Sequence, residues 1–265
     1  MLVSVSIITY NRKELLKRAI ESALNQTIQD LEIVIVDDGS FDGTREMMGA
    51  YQNNRVNYMY MDKIGNIARL RNIVLEACKG DYVAMLDSDD YWHPRKLELQ
   101  LDAMQKQNAT LSFTGFYLVD AQRNVLSTQN YKHIKTEKDW DAFNQLVLNK
   151  YAIYPSTFLF KKFDALHYKW FNENLAVPES DFIVHLMAKQ TIVVVNDYLV
   201  YITKHQTNSY SSQFKLAPLR DYIETLRQLK QVNRINTRLY IRMTLEMRFL
   251  MLKYRYLNWK KGLEN

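Results

Sequence analysis

Short apolar runs alternate with amphipathic segments through the first half of the chain. A run that is apolar at almost every position is typical of a strand buried on both faces, so these runs predict strands. The segments between them place apolar residues at helical spacing and predict helices. The predicted strands are 3–8, 32–36, 55–61, 82–86 and 111–119, and the predicted helices are 12–25, 44–51, 66–79 and 94–107. This order indicates an α/β fold whose mostly parallel sheet is flanked by helices.

Residues at the helix ends support these boundaries. Asn11 is a suitable N-cap for the first helix, and Gly80 is placed to end the third. Pro94 stands where the fourth helix is expected to begin, and proline suits the first turn of a helix.

The second half of the chain is less regular. It predicts helices at 139–148 and 181–188 and strands at 157–161 and 192–202. From residue 216 onward the pattern is almost wholly helical. We therefore expect one domain of residues 1–214, with halves at 1–110 and 111–214, followed by a helical C-terminal extension at 215–265.

Positive charge is concentrated in that extension. The 265-residue chain has a formal net charge of +6, yet the extension alone carries twelve Lys and Arg against four acids. The sequence pI of about 9.1 is therefore no indication of a nucleic-acid partner for the whole protein.

Two arrangements of the extension are open. Its helices could lie on an anionic membrane surface, or they could pack on the domain or across a homo-oligomer interface. The spacing of Leu and Met favours packing. The apolar stripe comprises Leu239, Met243, Met247, Leu250, Tyr254 and Leu257, and the basic residues around it are Arg238, Arg242, Arg248, Lys253 and Arg255.

The composition indicates the cellular compartment in which the protein works. Cys78 is the only cysteine, which excludes an internal disulfide and a cysteine zinc cluster and fits a reducing compartment. No apolar run approaches the ~18–20 residues that span a bilayer, and the first residues do not resemble a secretory signal. We expect a cytoplasmic protein, with peripheral contact to the inner face of the membrane as the alternative.

Polar clusters follow three of the predicted strands, at 9–12, 37–40 and 87–90. In open parallel sheets, ligands bind beyond the carboxyl ends of the strands. If these strands are neighbours, up to five aspartates share one crevice, and their repulsion favours a cation. Oxygen ligands without histidine or cysteine suit Mg²⁺ or Mn²⁺, which typically bridge carboxylates to substrate phosphates. A nucleotide diphosphate is the natural substrate, although Asp-Gly and Asp-Asp pairs are also common turn formers.

The segments SVSIITYNR, LEIVIVDDGSFDGT and ARLRN…CKGDYVAMLDSDD together strongly resemble family-two glycosyltransferases, which have the GT-A fold. The resemblance is close over 3–92 and weaker to about 212. It implies an Asp-X-Asp metal motif at Asp87, Ser88 and Asp89, with Asp90 adjacent. Asp89 is then expected to meet Mn²⁺ or Mg²⁺, while Asp87 lies near the ribose and diphosphate.

The resemblance also implies a nucleotide-sugar site. Thr9, Tyr10 and Arg12 fall where the family frames the nucleotide, and Asp38 falls where it reads the base. Either Arg69 or Arg71 is expected to contact the base or a phosphate; a solvated helix face is the alternative for each. Lys204 and His205, after the last core strand, are expected to neutralise the leaving diphosphate.

The catalytic base of the family usually sits in a Glu-Asp pair before a short helix. The matching stretch has Pro178 where the family often has glutamate, which leaves Glu179 and Asp181 as candidates, and we favour Glu179. Asp181 could instead cap a helix that begins near Phe182. Trp92 could line the acceptor pocket, although a packing role is the more common one for tryptophan.

The resemblance implies an inverting transfer from a nucleotide-diphospho-sugar, most often a UDP-sugar, to a glycan or lipid-linked acceptor in bacterial surface polysaccharide synthesis. A nucleotidyltransferase is the first alternative, but no glycine precedes Gly39 to form its phosphate loop. A basic helical binding module is the second, and no nucleic-acid motif supports it. The Gly-x-Gly-x-x-Gly motif of dinucleotide-binding dehydrogenases is absent.

Overall fold

The computed structural model describes most of the first half of the chain and parts of the second. The described residues are 1–51, 54–132, 154–162, 171–175, 178–179, 181–182, 191–205, 217–231, 237–238, 240–245, 247–249 and 251–252. The helix predicted at 139–148 lies outside these residues, as does most of the one predicted at 181–188.

Strands and helices alternate as the periodicity predicts, within one to three residues at most ends. The strands are β1 Val3–Thr9, β2 Leu31–Asp37, β3 Val56–Tyr60, β4 Tyr82–Met85, β5 Tyr91–Trp92, β6 Leu111–Val119, β7 Val125–Gln129, β8 Phe158–Lys161 and β9 Ile192–Thr203. The helices are α1 Lys13–Leu24, α2 Thr44–Met48, α3 Ile67–Ala77, α4 Lys96–Lys106 and α5 Ala217–Gln231, and 3-10 turns lie at Gly49–Tyr51 and Pro155–Thr157.

The nine strands form one sheet in the order β3-β2-β1-β4-β8-β6-β9-β5, with β7 paired to β6. The pairs among β1, β2, β3 and β4 are all parallel, so the first half has the predicted parallel sheet. In the second half β8 runs antiparallel to both β4 and β6, whereas β6 and β9 are parallel. The α/β fold is confirmed, with the antiparallel pairs confined to strands β4 onward.

Three residues that were expected to bound helices act differently. Asn11 has a left-handed backbone with φ of 50°, and Arg12 is the residue that directly precedes α1. Helix α3 ends at Ala77, and Gly80 instead lies where a Cβ would be 2.7 Å from the Leu2 carbonyl oxygen on the approach to β1. Helix α4 starts at Lys96, two residues after Pro94. In each case a contact with another strand or loop, which periodicity does not report, decides the position.

The hydrophobic core lies between the sheet and its helices and extends into the C-terminal extension. Leu226 of α5 and two methionines in the helical residues that follow, Met243 and Met247, belong to the same buried cluster as strands β1, β2 and β4. The extension therefore packs on the rest of the chain through part of its apolar surface. In the described part of the chain, no helix has both the length and the apolar character that crossing a bilayer requires.

Candidate active site

The carboxyl ends of β1, β2 and β4 lie at one edge of the sheet. Thr9 at the end of β1 pairs with Asp37 at the end of β2, and the Asp38 amide donates to the Thr9 carbonyl oxygen at 3.0 Å. On the other side of β1, the Leu86 amide donates to the Ser6 carbonyl oxygen, which leads the chain into Asp87 at the same edge. Parallel strand order therefore places the three polar clusters together.

The loop between β1 and α1 contacts both acidic clusters. On one side, the Asn11 amide donates to Ser40 Oγ at 2.8 Å, and Asn11 Oδ1 accepts from the Phe41 amide at 2.9 Å. On the other side, Arg12 Nη1 lies 2.6 Å from Asp89 Oδ2. The expectation that the clusters share one crevice is met by these contacts.

Asp37 and Asp38 have different surroundings although they are adjacent. Asp37 accepts from the Ser40 amide and from the Tyr58 hydroxyl, and burial together with this hydrogen bond raises the pKa of Tyr58. Asp38 is buried and accepts from the Ile64 amide at 2.6 Å, and it pairs with Lys63 Nζ at 2.8 Å. Asp37 therefore fixes the strand end, and Asp38 holds the loop that follows β3.

Three residues beside Asp38 form an aromatic and basic rim: Tyr10, Phe41 and Lys63. Lys63 Nζ lies 2.9 Å from the centroid of the Tyr10 ring, and Tyr10 meets Phe41 edge-to-face at 6.1 Å. Phe41 is highly exposed. Thr9, at the base of this rim, is buried, and its Oγ1 has no hydrogen-bond partner in the described part of the chain. An unsatisfied buried hydroxyl next to open aromatic rings is a feature that a bound ligand would complete.

Arg71 of α3 connects the first aspartate of the motif to a candidate base. Its Nη2 donates to Asp87 Oδ1 at 2.8 Å, and its Nε donates to Glu179 Oε1 at 2.9 Å. The guanidinium is buried, which opposes its charge, but the two carboxylates keep the pKa of Arg71 above its ordinary value. Because the guanidinium is planar and donates in two directions, it fixes the two carboxylates relative to each other.

Asp89 and Asp90 differ in their partners. Asp89 Oδ2 is 2.6 Å from Arg12 Nη1 and 2.7 Å from His205 Nε2. Although burial favours the neutral acid, these two contacts hold the pKa of Asp89 below its ordinary value. Asp90 accepts from Ser156 Oγ at 2.6 Å and from the Thr203 amide at 3.0 Å. Burial and the charges of Asp89 and Asp87 raise the pKa of Asp90 well above its ordinary value.

Arg18 is a site residue that sequence reasoning missed. Its Nη2 donates to the Asp89 carbonyl oxygen at 2.5 Å and to Thr203 Oγ1 at 2.8 Å, and its guanidinium lies 4.5 Å from the Tyr91 ring centroid. It thereby joins α1, the aspartate motif and the end of β9. A charged residue on an amphipathic helix gives no signal of contacts with residues 71 and 185 positions away.

Some of the remaining predicted site residues lie in the crevice and others do not. His205 reaches Asp89, whereas Lys204 is exposed and contacts β6 through its amide. Ser88 is buried. Of the two candidate arginines, Arg71 lies in the crevice and Arg69 is exposed on α3.

The two candidate bases also differ in their surroundings. Glu179 lies beside Arg71, within residues that are already helical. Asp181 is buried and accepts from the Thr225 hydroxyl of α5. Trp92 is buried and donates its indole N–H to the Ser156 carbonyl oxygen, so it is a packing residue.

The donor chemistry of the crevice fits a hard divalent cation. Among the described residues, no three Asp, Glu, His or Cys side chains are grouped so as to hold a metal ion by themselves. Asp87 and Asp89, which are separated by one residue in the sequence, nevertheless offer carboxylate oxygens. Mg²⁺ is usually held by one or two carboxylates together with substrate phosphates. Asp90 uses both of its oxygens within the protein, so the fit rests on Asp87 and Asp89.

Comparison with known proteins identifies the family. The sequence profile described as Glycosyl transferase family 2 matches residues 4–168, more than half of the chain. The chain belongs to glycosyl transferase family 2. This family assignment and the fold described above confirm the resemblance seen in the sequence.

Two curated bacterial relatives match the first half of the chain. TuaG of Bacillus subtilis, whose name assigns it to teichuronic acid biosynthesis, is 40% identical over 120 residues, which cover 44% of this chain and 48% of TuaG. WfaP of Escherichia coli, a UDP-Glc:alpha-D-GlcNAc-diphosphoundecaprenol beta-1,3-glucosyltransferase, is 36% identical over 117 residues, which cover 44% of this chain and 47% of WfaP. The matches thus span about half the length of each relative.

A solved structure extends the fold comparison over most of the chain. S. aureus TarS (residues 1–349) in complex with UDP-GlcNAc superposes with a TM-score of 0.70 and 21% identity, covering 86% of this chain and 65% of that chain. At this identity the likeness concerns the fold alone. The fold shared with TarS therefore continues beyond the residues that the family profile matches.

Proposed function

We propose that this chain is a glycosyltransferase that moves a sugar from a nucleotide-diphospho-sugar, with UDP as the nucleotide, to a saccharide or lipid-linked saccharide, and that it inverts the anomeric centre. The observation that carries this proposal is the Arg71 bridge between Asp87 and Glu179. The bridge brings a general-base candidate to the strand end where the nucleotide diphosphate of such a donor would bind. A nucleotidyltransferase would need no such base for an acceptor hydroxyl.

Glu179 is the proposed catalytic base, and Asp181 is the alternative. Glu179 accepts from Arg71 through Oε1, so Oε2 lies outside this bond, and the residue is half-buried beside the crevice. It would take the proton of the acceptor hydroxyl as that oxygen forms its bond to the anomeric carbon and the bond to the donor diphosphate breaks. Asp181 instead accepts a hydrogen bond from α5, which supports a role in docking the extension.

Asp87 and Asp89 would hold Mn²⁺ or Mg²⁺ together with the donor phosphates. The ion would supply Lewis-acid stabilisation of the negative charge that develops on the departing diphosphate. Arg12 and His205 already lie against Asp89 and are partly exposed, so they are placed to contact phosphate oxygens. Lys204 is the adjacent exposed cation and would add positive charge near the same group.

The rim beside β1 and β2 is the proposed nucleotide site. Tyr10 presents an exposed ring for base or ribose packing, and the Thr9 hydroxyl supplies an unused hydrogen-bonding group. Asp38 holds the 63–65 loop against this rim and would thereby position the contacts to the base. Arg69 is exposed outside these contacts and is not part of the proposal.

The biological role that fits best is bacterial surface polysaccharide synthesis in the cytoplasm. TuaG is named for teichuronic acid biosynthesis, and WfaP is named for a UDP-sugar donor and a lipid diphosphate acceptor. These relatives support the proposed donor and acceptor classes for the present chain. A homo-oligomer remains compatible with this role, and the reaction proposed above requires only one chain.

The test is a panel of nucleotide sugars assayed by thermal unfolding with and without Mn²⁺. We expect one UDP-sugar to raise Tm by several degrees, with Mn²⁺ required for most of the shift. Asp89→Ala should abolish the Mn²⁺-dependent part of the shift. Asp102→Ala, which removes an exposed acid paired with Lys106 on α4, is the matched control and should keep it. The proposal would be overturned if no nucleotide sugar raised Tm. It would also be overturned if Asp89→Ala without Mn²⁺ showed the same shift as the wild type with Mn²⁺.

A further inference from the structure

The C-terminal extension exposes a stripe of large apolar side chains. Among the helical residues between 237 and 252, Ile241, Leu245, Phe249 and Leu252 are 51%, 59%, 68% and 63% exposed. We call these four residues the outer stripe. Their spacing of three or four residues places them on one face of a helix. Single exposed apolar residues are common, but four in a row along one helix face mark an interaction surface.

The outer stripe is separate from the apolar face that packs on the protein. Met243 and Met247 are fully buried in the main core, and Tyr240 and Met251 are partly buried against it. At 3.6 residues per turn, these residues lie on the far side of the helix from Leu245. Met243 and Met247 of the apolar stripe predicted from the sequence thus lie on a packing face, and the outer stripe is a second apolar face. The other four residues of the predicted stripe lie outside the described residues.

Exposed arginines border the outer stripe. At about 100° per residue, the four apolar residues fall within an arc of about 80°, with Arg242 and Arg248 at about 60° on either side of Leu245. Arg238 lies within this arc, about 20° from Leu245, on the turn before Ile241. All three arginines are exposed. An apolar stripe with basic residues along both borders is typical of a helix that lies in a membrane interface, where the apolar groups enter the acyl boundary and the arginines reach the headgroups.

We infer that the outer stripe docks the protein on an anionic lipid bilayer, with the helix parallel to the membrane plane. A second copy of the chain fits this surface less well. In a two-fold symmetric contact through the outer stripe, both copies bring the same exposed arginines to one patch, which gathers like charges there. Anionic headgroups instead complement Arg238 and Arg248 together, at about 1 kcal/mol for each basic residue near the surface. This inference goes beyond the proposed transfer reaction and does not depend on it.

The test is co-sedimentation of the full chain with vesicles of equal parts phosphatidylglycerol and phosphatidylcholine, and with vesicles of phosphatidylcholine alone. We expect binding to the anionic vesicles to be at least about tenfold stronger, and to weaken with salt. Leu245→Gln/Phe249→Gln should lower binding at least about tenfold, because it removes two side chains that would leave water. Arg238→Gln/Arg248→Gln should remove most of the preference for phosphatidylglycerol.

Val125→Gln/Leu126→Gln on β7 is the matched control, because these residues are 54% and 49% exposed on another surface. It should bind vesicles like the wild type. Wild-type protein that fails to sediment with anionic vesicles, or a Leu245→Gln/Phe249→Gln variant that binds as well as the control, would overturn the inference. Light scattering that shows a lipid-free dimer converted to a monomer by Leu245→Gln/Phe249→Gln would assign the stripe to a homodimer instead. Donor-induced stabilisation should be the same in all variants, which separates this test from that of the proposed function.

Discussion

We expect the buried side chain of Lys96 to give the protein an unusual pH dependence of stability. It lies in the first turn of α4 and is fully buried, with its Nζ 2.7 Å from Gln100 Oε1 and 4.1 Å from the Trp92 ring centroid. In the described part of the chain no carboxylate pairs with it, and burial lowers the pKa of Lys96 well below its ordinary value. The folded protein therefore holds this amine in its neutral form over a pH range in which the unfolded chain holds it charged.

The sign and size of the effect follow from proton linkage. Because the unfolded chain binds the extra proton, the free energy of unfolding rises with pH between the lowered folded-state pKa and the ordinary value of 10.5. The slope from a single fully titrating group is about 1.4 kcal/mol per pH unit. Between pH 7 and pH 9 the free energy of unfolding therefore rises by up to about 3 kcal/mol through Lys96. Above 10.5 the contribution is constant.

The assay is urea unfolding of wild type and Lys96→Met at pH 7 and pH 9. Methionine keeps most of the buried volume and cannot titrate. From pH 7 to pH 9 the free energy of unfolding of the wild type should therefore rise by up to about 3 kcal/mol relative to that of the variant. Loss of the hydrogen bond to Gln100 is the same at both pH values and cancels. Lys106→Met is the control, because Lys106 is exposed and paired with Asp102, and its difference from wild type should not change. A pH-independent difference for Lys96→Met would show that Lys96 stays charged when folded and would refute the reasoning.

Two further substitutions test the base and the sheet. Glu179→Gln should lower kcat at least about 100-fold with donor affinity nearly unchanged, since a base acts in the transition state. Asp181→Asn should mainly lower Tm. Steady-state kinetics that show the opposite pattern would assign the base to Asp181. Gly80→Ala should lower the free energy of unfolding by about 1–3 kcal/mol, because its Cβ would meet backbone atoms at 2.7 Å. Gly49→Ala, where nothing lies within 4 Å, is its control in urea unfolding, and an equal loss in both would contradict the close-packing explanation.

The parallel half of the fold could be predicted from the sequence because its signals are local. Runs such as those of β1 and β2 consist mostly of β-branched residues, and the helices between them have clear periodicity. Strand β7 was missed because four of its five side chains are exposed, which leaves no alternation to detect. Strand β5 was missed because two residues are too short for any pattern. The antiparallel pairing of β8 is decided by contacts with β4 and β6, which no local pattern encodes.

The candidate site was predictable where a motif marks it and not where distant residues complete it. The positions of Asp38, Asp87 and Asp89 at strand ends follow from chain order and sheet rules. The Arg71 bridge to Glu179 spans 108 residues of sequence, and only the folded chain reveals it. Two cations were missed for a general reason: sequence reading places charged residues of a helix on its solvent face. Arg18 is half-buried and Lys96 is fully buried, so both are exceptions.

The two aspartates of the motif are neutralised in different ways, and this difference bears on how a donor would bind. Arg71, the partner of Asp87, is only 4% exposed and is held from two directions, so it is a fixed part of the site. The partners of Asp89 are Arg12 and His205, which are 42% and 33% exposed. Because Arg12 and His205 reach solvent, they can move to another anion without being buried in the change. An incoming diphosphate with its cation would therefore displace or recruit Arg12 and His205, while Arg71 keeps Asp87 and Glu179 in register before and after binding.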